Sequence, residues 1–559
     1  MTQSWRIILI GVMLVVLSAC TNDGDVTEGI EGNSEGDETA TEGDITLAFP
    51  TDIVSMDAHG SNDTPSEQLR NTLYEGLVTQ DENLEITPVL ATEWEQIDDV
   101  TWEFTLREDV TFHDGSTFNA EVVEANLDRL QDAAVASPRN FVLNMIEEVN
   151  VVDDYTVELI TEYPFAPLLN NLTHGAGKMM SKELIDSDYQ NALDEAGIDM
   201  TLDEYKEARE DGGQEYEDAS ENISEYVGTL IEQGPIGTNY MKFDSRSPGE
   251  STRIVANEEY WDGPPSLSSA TYKAVSETGS RIAEIETGAS NFIQRVESSN
   301  IDRIENNPDV TLTRTDALAI DFIGFNTEKA PFDDVRVRQA VTLAFDNQAV
   351  FEGVFNNSGT PAVAALAPNT LGYDENLEPL GYDMDRAKTL LTEAGYEDGF
   401  DMTLMVNEDN PERLNMSIWL QESLEELSIN VNIRQIEWGT YLEMTGNGEH
   451  DMFVMGWSNS TADPEELLTT LFHSDMVGAQ GNRSFFKNDD FDQLLDEGRR
   501  EFDTDAREQI YMDAQELLVE EAPAIFVRHS EYLNAYHNSI DNLEIGWDDL
   551  YDMRNVEVE

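Results

Sequence analysis

The side chains that could carry chemistry are few and scattered. Seven histidines stand at positions 59, 113, 174, 450, 473, 529 and 537, with no HExxH and no close pair that would hold zinc. The only cysteine is Cys20. A secreted hydrolase is the enzymatic alternative, and it needs a nucleophile beside a base, or a metal. Gly32-Asn33-Ser34-Glu35-Gly36 has the spacing of a hydrolase nucleophile elbow, but its flanks cannot supply the strand and helix that the motif requires. Gly175-Ala176-Gly177-Lys178 ends like a phosphate-binding loop, yet Leu172 stands where the first glycine belongs and Met179 where Ser or Thr belongs. The carboxylates between Asp186 and Glu232 lack the DxDxDG core and the twelfth-position Glu of a calcium loop. Neither a metal nor a cofactor is expected. What remains is suited to holding a ligand rather than changing it. Trp438 and Trp457, 19 residues apart, each offer a broad apolar wall and one N–H donor. A tryptophan taken alone is more often a core residue than a site residue.

The elements that must position these residues alternate between strand and helix, which indicates an α/β protein. From Thr101 to Arg107, Trp102, Phe104 and Leu106 fall on one face and Thr101, Glu103, Thr105 and Arg107 on the other, as in a half-buried strand. His113-Asp114-Gly115 turns the chain. Helical spacing follows around Val122 to Leu130, then over Val335 to Phe345 and Ala387 to Ala394, the last closed by Gly395. The Asp186–Glu232 stretch reads as an acidic surface insertion in which Gly212-Gly213 breaks any long helix. A chain of 559 residues is too long for one core and predicts two or three lobes. No repeat of 20 to 50 residues suggests a solenoid or propeller.

The N-terminus carries a separate message. Arg6 precedes the largely apolar run Ile7 to Ala19, which is too short to span a bilayer and has the length of a signal-peptide core. The run ends at Leu17-Ser18-Ala19-Cys20, which has the look of a bacterial lipobox, so Cys20 is expected to be a lipid attachment site. Residues 21–44 hold nine acidic and no basic residues and read as a disordered tether. The net charge of -84, from 115 Asp and Glu against 31 Lys and Arg, strains a compact fold in dilute buffer. At molar salt the Debye length falls to about 3 Å and such a coat becomes tolerable, so a halophilic setting is expected. Nucleic acid is excluded as a partner, because no basic stripe is present to meet phosphates.

Several segments, taken in order, resemble solute-binding protein family 5, the peptide, nickel and glutathione receptors of ABC importers. They are Thr72-Leu73-Tyr74-Glu75-Gly76-Leu77-Val78, Thr87 to Trp94, and Thr101 to Arg107 running into Val110-Thr111-Phe112-His113-Asp114-Gly115. Further on come Phe325-Asn326-Thr327, Pro331 to Ala340, Ala387-Lys388 with Ala394-Gly395-Tyr396, and Gly456-Trp457 before Asp463-Pro464. The family's GTGPY turn is replaced by Gly237-Thr238-Asn239-Tyr240-Met241.

The resemblance implies a two-lobed periplasmic-binding-protein type II architecture with an extra subdomain and a hinge. Its implied layout is 1–20 signal peptide, 21–44 tether, 45–73, 222–312 and 533–559 first lobe, 74–221 extra subdomain, and 313–532 second lobe. It further implies a monomeric, lipid-anchored protein on the extracellular or periplasmic side of the membrane, passing a small peptide-like ligand to ABC permease subunits. A non-transporting receptor or adhesin on the same fold is the alternative. By analogy with relatives, the ligand residues are Asn62, Asp63 and Thr64 after the first strand, with Trp438, Gly456, Trp457, Ser458 and Ser460. Peptide receptors of the family anchor the ligand ammonium with an Asp where this chain has Ser460, and some hold its carboxylate with an Arg where it has Val454. The segments around Asn62 and Gly456 look most like the glutathione-receptor branch.

Overall fold

The computed structural model describes residues 43–408, 410–479 and 481–558. The signal segment, Cys20 and the tether through residue 42 lie outside them. Strand β1 (Asp44–Phe49) begins one residue before the tether was expected to end. Its alternation is clean: Ile45, Leu47 and Phe49 enter one apolar cluster and Ala48 another on the opposite face. Helix α1 (Thr64–Leu73) follows, capped by Asp63, whose Oδ1 accepts the Ser66 N–H at 3.0 Å, with Pro65 in its first turn.

The chain then builds a separate antiparallel sheet from β2 (Ala91–Gln96), β3 (Thr101–Leu106), β4 (Ile146–Asp153) and β5 (Thr156–Thr161), joined in the order β2-β3-β5-β4. Phe104 and Leu106 of β3 are buried and Trp102 packs beside them, as the alternation predicts. Helix α2 (Ala120–Gln131) covers this sheet with Val122, Val123, Leu127 and Leu130. The acidic stretch forms α3 (Lys182–Ala196), α4 (Leu202–Asp211) and α5 (Gln214–Ile223), with Gly212 and Gly213 at the α4–α5 break. It is more than a surface insertion. Tyr189 and Tyr205 are buried, and with Tyr216 they donate hydrogen bonds to the buried Asp132 carboxylate. Aromatic rings on one face of otherwise acidic helices give the stretch an inner side.

The chain returns to the main sheet with β6 (Met241–Ser247), β7 (Ser251–Ala256), β8 (Ser269–Ala274) and β9 (Phe292–Ile293). Here β1 pairs parallel with β8 and β9, while β6, β7 and β8 run antiparallel. The long strand β10 (Val310–Phe325) leads into the second half of the molecule. That half contributes α6 (Val335–Leu343), α7 (Met384–Ala394), β11 (Asp401–Asn407), α8 (Pro411–Glu425), β12 (Asn430–Ile436), α9 (Trp438–Gly446), β13 (Met452–Ser458), α10 (Pro464–Phe472), α11 (Asp489–Gly498) and α12 (Thr504–Glu521). Gly395 ends α7 in the left-handed conformation, φ 87°, as its position predicts. Strand β14 (Ala524–His537) then runs back along β10, giving the order β12-β11-β13-β10-β14-β9-β1-β8-β7-β6, with Thr360–Pro361 paired to β14 as well. In the second half, Ile323, Leu404, Val406, Met452 and Val454 face one apolar cluster and Ile320, Phe322, Met405, Phe453 and Met455 the other, so this part of the sheet is buried on both faces.

Only β10 and β14 belong to both halves of this sheet. They pair antiparallel from Val310↔His537 to Asp316↔Glu531, and the register then shifts before pairing resumes at Ile320↔His529. The irregularity at 317–319 divides a sheet that is otherwise continuous, and it separates two lobes.

A buried knot of charge joins α1 to the four-stranded unit. The Glu67 carboxylate meets Arg139 at 2.7 Å, Lys178 at 2.8 Å and Arg70 at 3.3 Å. Gly175 leaves room for it, since a Cβ there would lie 2.1 Å from Glu67 Oε1. Burial pushes the Glu67 carboxyl up, but Arg139, Lys178 and Arg70 together hold it well below its ordinary value of 4.5. A depressed folded-state pKa gives stability that is complete above the ordinary value and is lost as pH falls below it. Glu67→Gln leaves three buried cations without their anion, so it is expected to lower unfolding free energy by about 3–5 kcal/mol at pH 7. Denaturant unfolding at pH 7 and pH 4 tests this: the gap to wild type should narrow at the lower pH, and a gap independent of pH would show that the ion pairs are not its source.

Candidate ligand-binding cleft

The end of β13 lies directly on the break between the lobes. Trp457 pairs with Ile320 and Ser458 with Ala319 of β10, and the Asn459 N–H donates to the Leu318 carbonyl at 2.7 Å. The segment Gly456–Ser460 is thus fixed to the pivot strand. The ends of the Asp321 and Arg413 side chains crowd this glycine: a Cβ there would lie 2.7 Å from Asp321 Oδ1 and 3.1 Å from Arg413 Nη2. Trp457 is half-buried against the second-lobe core and donates its indole N–H to Glu466 Oε1 at 3.3 Å. The Ser460 N–H donates to Glu466 Oε2 at 3.1 Å. Ser458 is exposed, and its side chain meets the Tyr532 hydroxyl on β14.

Trp438 opens α9 and is 40% exposed, the largest exposure of any tryptophan among the described residues. Its ring stacks on Tyr441 at 5.6 Å and 17°, and the Arg413 guanidinium lies 5.9 Å from its centroid. Arg413 links the two tryptophan regions, since it also lies beside Gly456. Its Nη1 donates to Asn407 at 3.0 Å and its Nε is buried without a partner; among the described residues no carboxylate lies within 4 Å of it. Thus Gly456, Trp457, Ser458 and Ser460 follow one another along the segment at the crossing, and Trp438 approaches it through Arg413.

The three residues expected on the opposite side sit at the start of α1. Asn62 is exposed, Thr64 is half-buried, and Asp63 spends both oxygens locally, on the Ser66 N–H and the Ser61 hydroxyl. No hydrogen bond or ion pair among the described residues joins them to the Gly456–Ser460 wall. The first-lobe groups that meet this wall are others. Gln80 and Asn170 both donate to the Thr461 carbonyl, at 3.2 and 3.4 Å. Leu84 and Trp547 pack with Leu318, Ala367 and Ala462. Farther along, the Ala166 N–H donates to the Arg499 carbonyl at 2.8 Å, and Arg500 stands 5.6 Å from the Tyr163 ring centroid with Arg499 beside the Tyr163 hydroxyl. These contacts close the lobes on one another. Sequence reading did not single out Arg413, Glu466, Tyr532, Gln80, Asn170 or Tyr163; only the fold brings them to the wall or its rim.

The replaced turn at Gly237–Met241 keeps its tight approach. A Cβ at Gly237 would lie 1.9 Å from the Leu73 carbonyl oxygen, Thr238 donates to the buried Glu75, and the Asn239 amide donates to the Asn71 carbonyl at 2.7 Å.

Two lobes joined by two crossing strands, with tryptophans on the wall beside the crossing, define a hinged ligand-binding protein. The chain belongs to the bacterial extracellular solute-binding proteins, family 5, whose Middle model matches residues 85–478. It is 27% identical over 523 residues to a protein named glutathione-binding protein GsiB from Pectobacterium atrosepticum, covering 92% of this chain and 94% of that one. Its fold matches the ABC transporter-associated periplasmic binding protein DppA of Helicobacter pylori, solved with the peptide STSA, at a TM-score of 0.75 and 25% identity, over 92% of this chain and 98% of that one. The dipeptide-binding protein of a Pseudoalteromonas species, solved with Met-Leu, matches at 0.76 and 25% identity, over 92% and 100% of the two chains.

The rim contacts carry a consequence for closure. Tyr163→Ala removes the ring that Arg499 and Arg500 both approach, so the ligand-free protein is expected to spend more time open and to show a larger radius of gyration in solution scattering, with unchanged circular dichroism. An unchanged radius would mean that these contacts do not hold the rim.

Proposed function

We propose that this chain is the capturing component of an ABC importer, a lipoprotein anchored through Cys20 that works as a monomer outside the membrane and hands a small peptide-like solute to its permease. The observation that carries this reading is the wall at the lobe crossing: two tryptophans, the exposed Ser458, and a guanidinium at Arg413 with no carboxylate partner among the described residues. Tryptophan faces accept the apolar body of a flexible ligand, and Arg413 supplies a fork for its carboxylate.

A glutathione-like ligand is the favoured solute. It carries two carboxylates, one ammonium and a bent γ-linked backbone, and the curated relatives with which this chain shares about a quarter of its residues are named for binding it. Asn62, Asp63 and Thr64 are proposed to approach the ligand from the first lobe. We assign 45–73, 222–312 and 533–559 to the first lobe, 74–221 to the extra subdomain, and 313–532 to the second lobe.

The acidic coat favours a salt-rich setting: with 115 acidic and 31 basic residues the fold carries far more repulsion than its ion pairs can offset in dilute buffer. Its melting temperature is expected to rise between 0.1 and 2 M salt, and a flat response would remove the halophilic reading.

The test of function is a thermal-shift screen of the protein lacking residues 1–20 in about 2 M salt, against glutathione, di- to pentapeptides, nickel with histidine, and oligosaccharides. A ligand at about 100 times its Kd adds about 2.7 kcal/mol of stability. Glutathione or a short peptide is expected to shift the transition, and a response to oligosaccharide or nickel alone would overturn the peptide-like assignment. Trp457→Ala should weaken the bound ligand by about 2 kcal/mol or more in calorimetry. Unchanged affinity would move the site elsewhere.

A further inference from the structure

Three carboxylates open α10, at Asp463, Glu465 and Glu466, and their circumstances differ. Asp463 is buried and neutralised by a two-pronged pair with Arg507, at 2.6 and 2.7 Å. Glu465 faces Arg499 at 3.3 Å and accepts from Thr469 at 3.0 Å. Glu466 is only 7% exposed and has no cation within 4 Å among the described residues. Its two oxygens receive only the Trp457 indole N–H and the Ser460 backbone N–H, both from the ligand wall.

A buried carboxylate without a cation is costly. Glu75, Asp188 and Asp549 also lack one within 4 Å among the described residues, but their donors lie elsewhere, whereas both donors of Glu466 come from the segment at the lobe crossing. An acidic residue in the first turn of a helix is favoured by the helix dipole, but that role is met equally well by an exposed side chain. Burial pushes the Glu466 carboxyl up to about 7, against the two N–H bonds that hold it down, with Glu465 and Asp463 adding repulsion. Such a group gains most when a positive charge arrives. Its place relative to the wall is also specific: it receives the backbone N–H of Ser460, the residue that stands where related peptide receptors have an acidic anchor.

We propose that Glu466 is the anchor for the cationic group of the ligand, whose ammonium docks against this carboxylate beside Trp457 and Ser460. The negative charge missing from position 460 is thereby supplied by the helix that follows. Arg413 lies beside Gly456 at one end of the segment and Glu466 beside Ser460 at the other, so the carboxylate and ammonium of a zwitterion are expected at its two ends. Four residues of extended chain span at most about 13 Å, so the ligand's charges should be separable by no more than that distance. A dipeptide or a γ-linked tripeptide fits.

This inference rests on the peptide-like reading of the cleft, and the test separates the two. Affinities of the wild-type protein are measured by calorimetry for glutathione and for di- and tripeptides, each with a free and an N-acetylated amino group, and the same set is run on Glu466→Gln. Acetylation should weaken wild-type binding at least about tenfold, and E466Q should lose a similar factor for the free amines while binding the acetylated forms as wild type does. If the wild type binds no member of the set, the functional reading falls and takes this one with it. If it binds a member but is indifferent to acetylation, or if E466Q keeps the full preference for the free amine, the anchor is elsewhere and only the inference falls.

Discussion

Cations are the scarce component of this chain, and where they are used explains much of the structure. With 31 Lys and Arg against 115 Asp and Glu, surface carboxylates can be left to salt, but a buried one must find a positive partner or a dense set of N–H donors. The described residues follow that constraint. Asp57 takes Arg129, Glu67 takes Arg139 and Lys178, Asp321 takes Arg528, and Asp463 takes Arg507, each pair joining elements far apart in sequence. Asp132 collects three tyrosine hydroxyls and lies 3.6 Å from Arg209. Glu75, Asp188, Asp549 and Glu466 are buried with neutral donors only among the described residues, and of these Glu466 alone bonds to the Gly456–Ser460 segment, where Arg413 likewise has no carboxylate within 4 Å among the described residues.

The same economy shapes the hinge. Strands β10 and β14 alone belong to both halves of the main sheet, and the second half is buried on both faces, so neither half can deform easily by itself. The register shift at 317–319 interrupts the ladder where the two meet. The break in the ladder is thus confined to a short irregular stretch between two packed bodies. Gln80, Asn170, Ala166 and Tyr163 provide polar and aromatic contacts across the rim, and most of the hydrogen bonds there use backbone carbonyls as acceptors. Such contacts are weak singly and easily exchanged for water, as a surface that must separate repeatedly requires.

Local features were legible in the sequence because their causes are local. The alternation at Trp102, Phe104 and Leu106 places them as in β3, and Gly395 ends α7 where periodicity stops. The expectation of a site at Gly456–Trp457 came from family resemblance rather than from its own residues, since nothing in a single tryptophan distinguishes wall from core. Other features depend on long-range contacts. Arg413 reaches Gly456 because β11 pairs in parallel with β13, and the rim residues Gln80 and Asn170 meet Thr461 only once both lobes are built. The acidic stretch read as surface because carboxylates outnumber aromatics there, yet three tyrosines give it an inner face. Glu466 looked like one more acid in a chain full of them; that no cation lies within 4 Å of it among the described residues is visible only in three dimensions.

The attachment of the ligand wall to the pivot strand has a mechanical meaning. Points on a rotation axis do not travel, so Ser458 and Asn459, bonded to Ala319 and Leu318 at the break, stay nearly still while the lobes swing. Arg499 and Arg500, tied to that axis only through packing, sweep a wider arc toward Tyr163. On the proposed reading of the wall as the ligand's seat, a solute there would act at a fulcrum, where small differences in its size or charge are magnified at the rim and can be sensed from the outer edge of the two lobes.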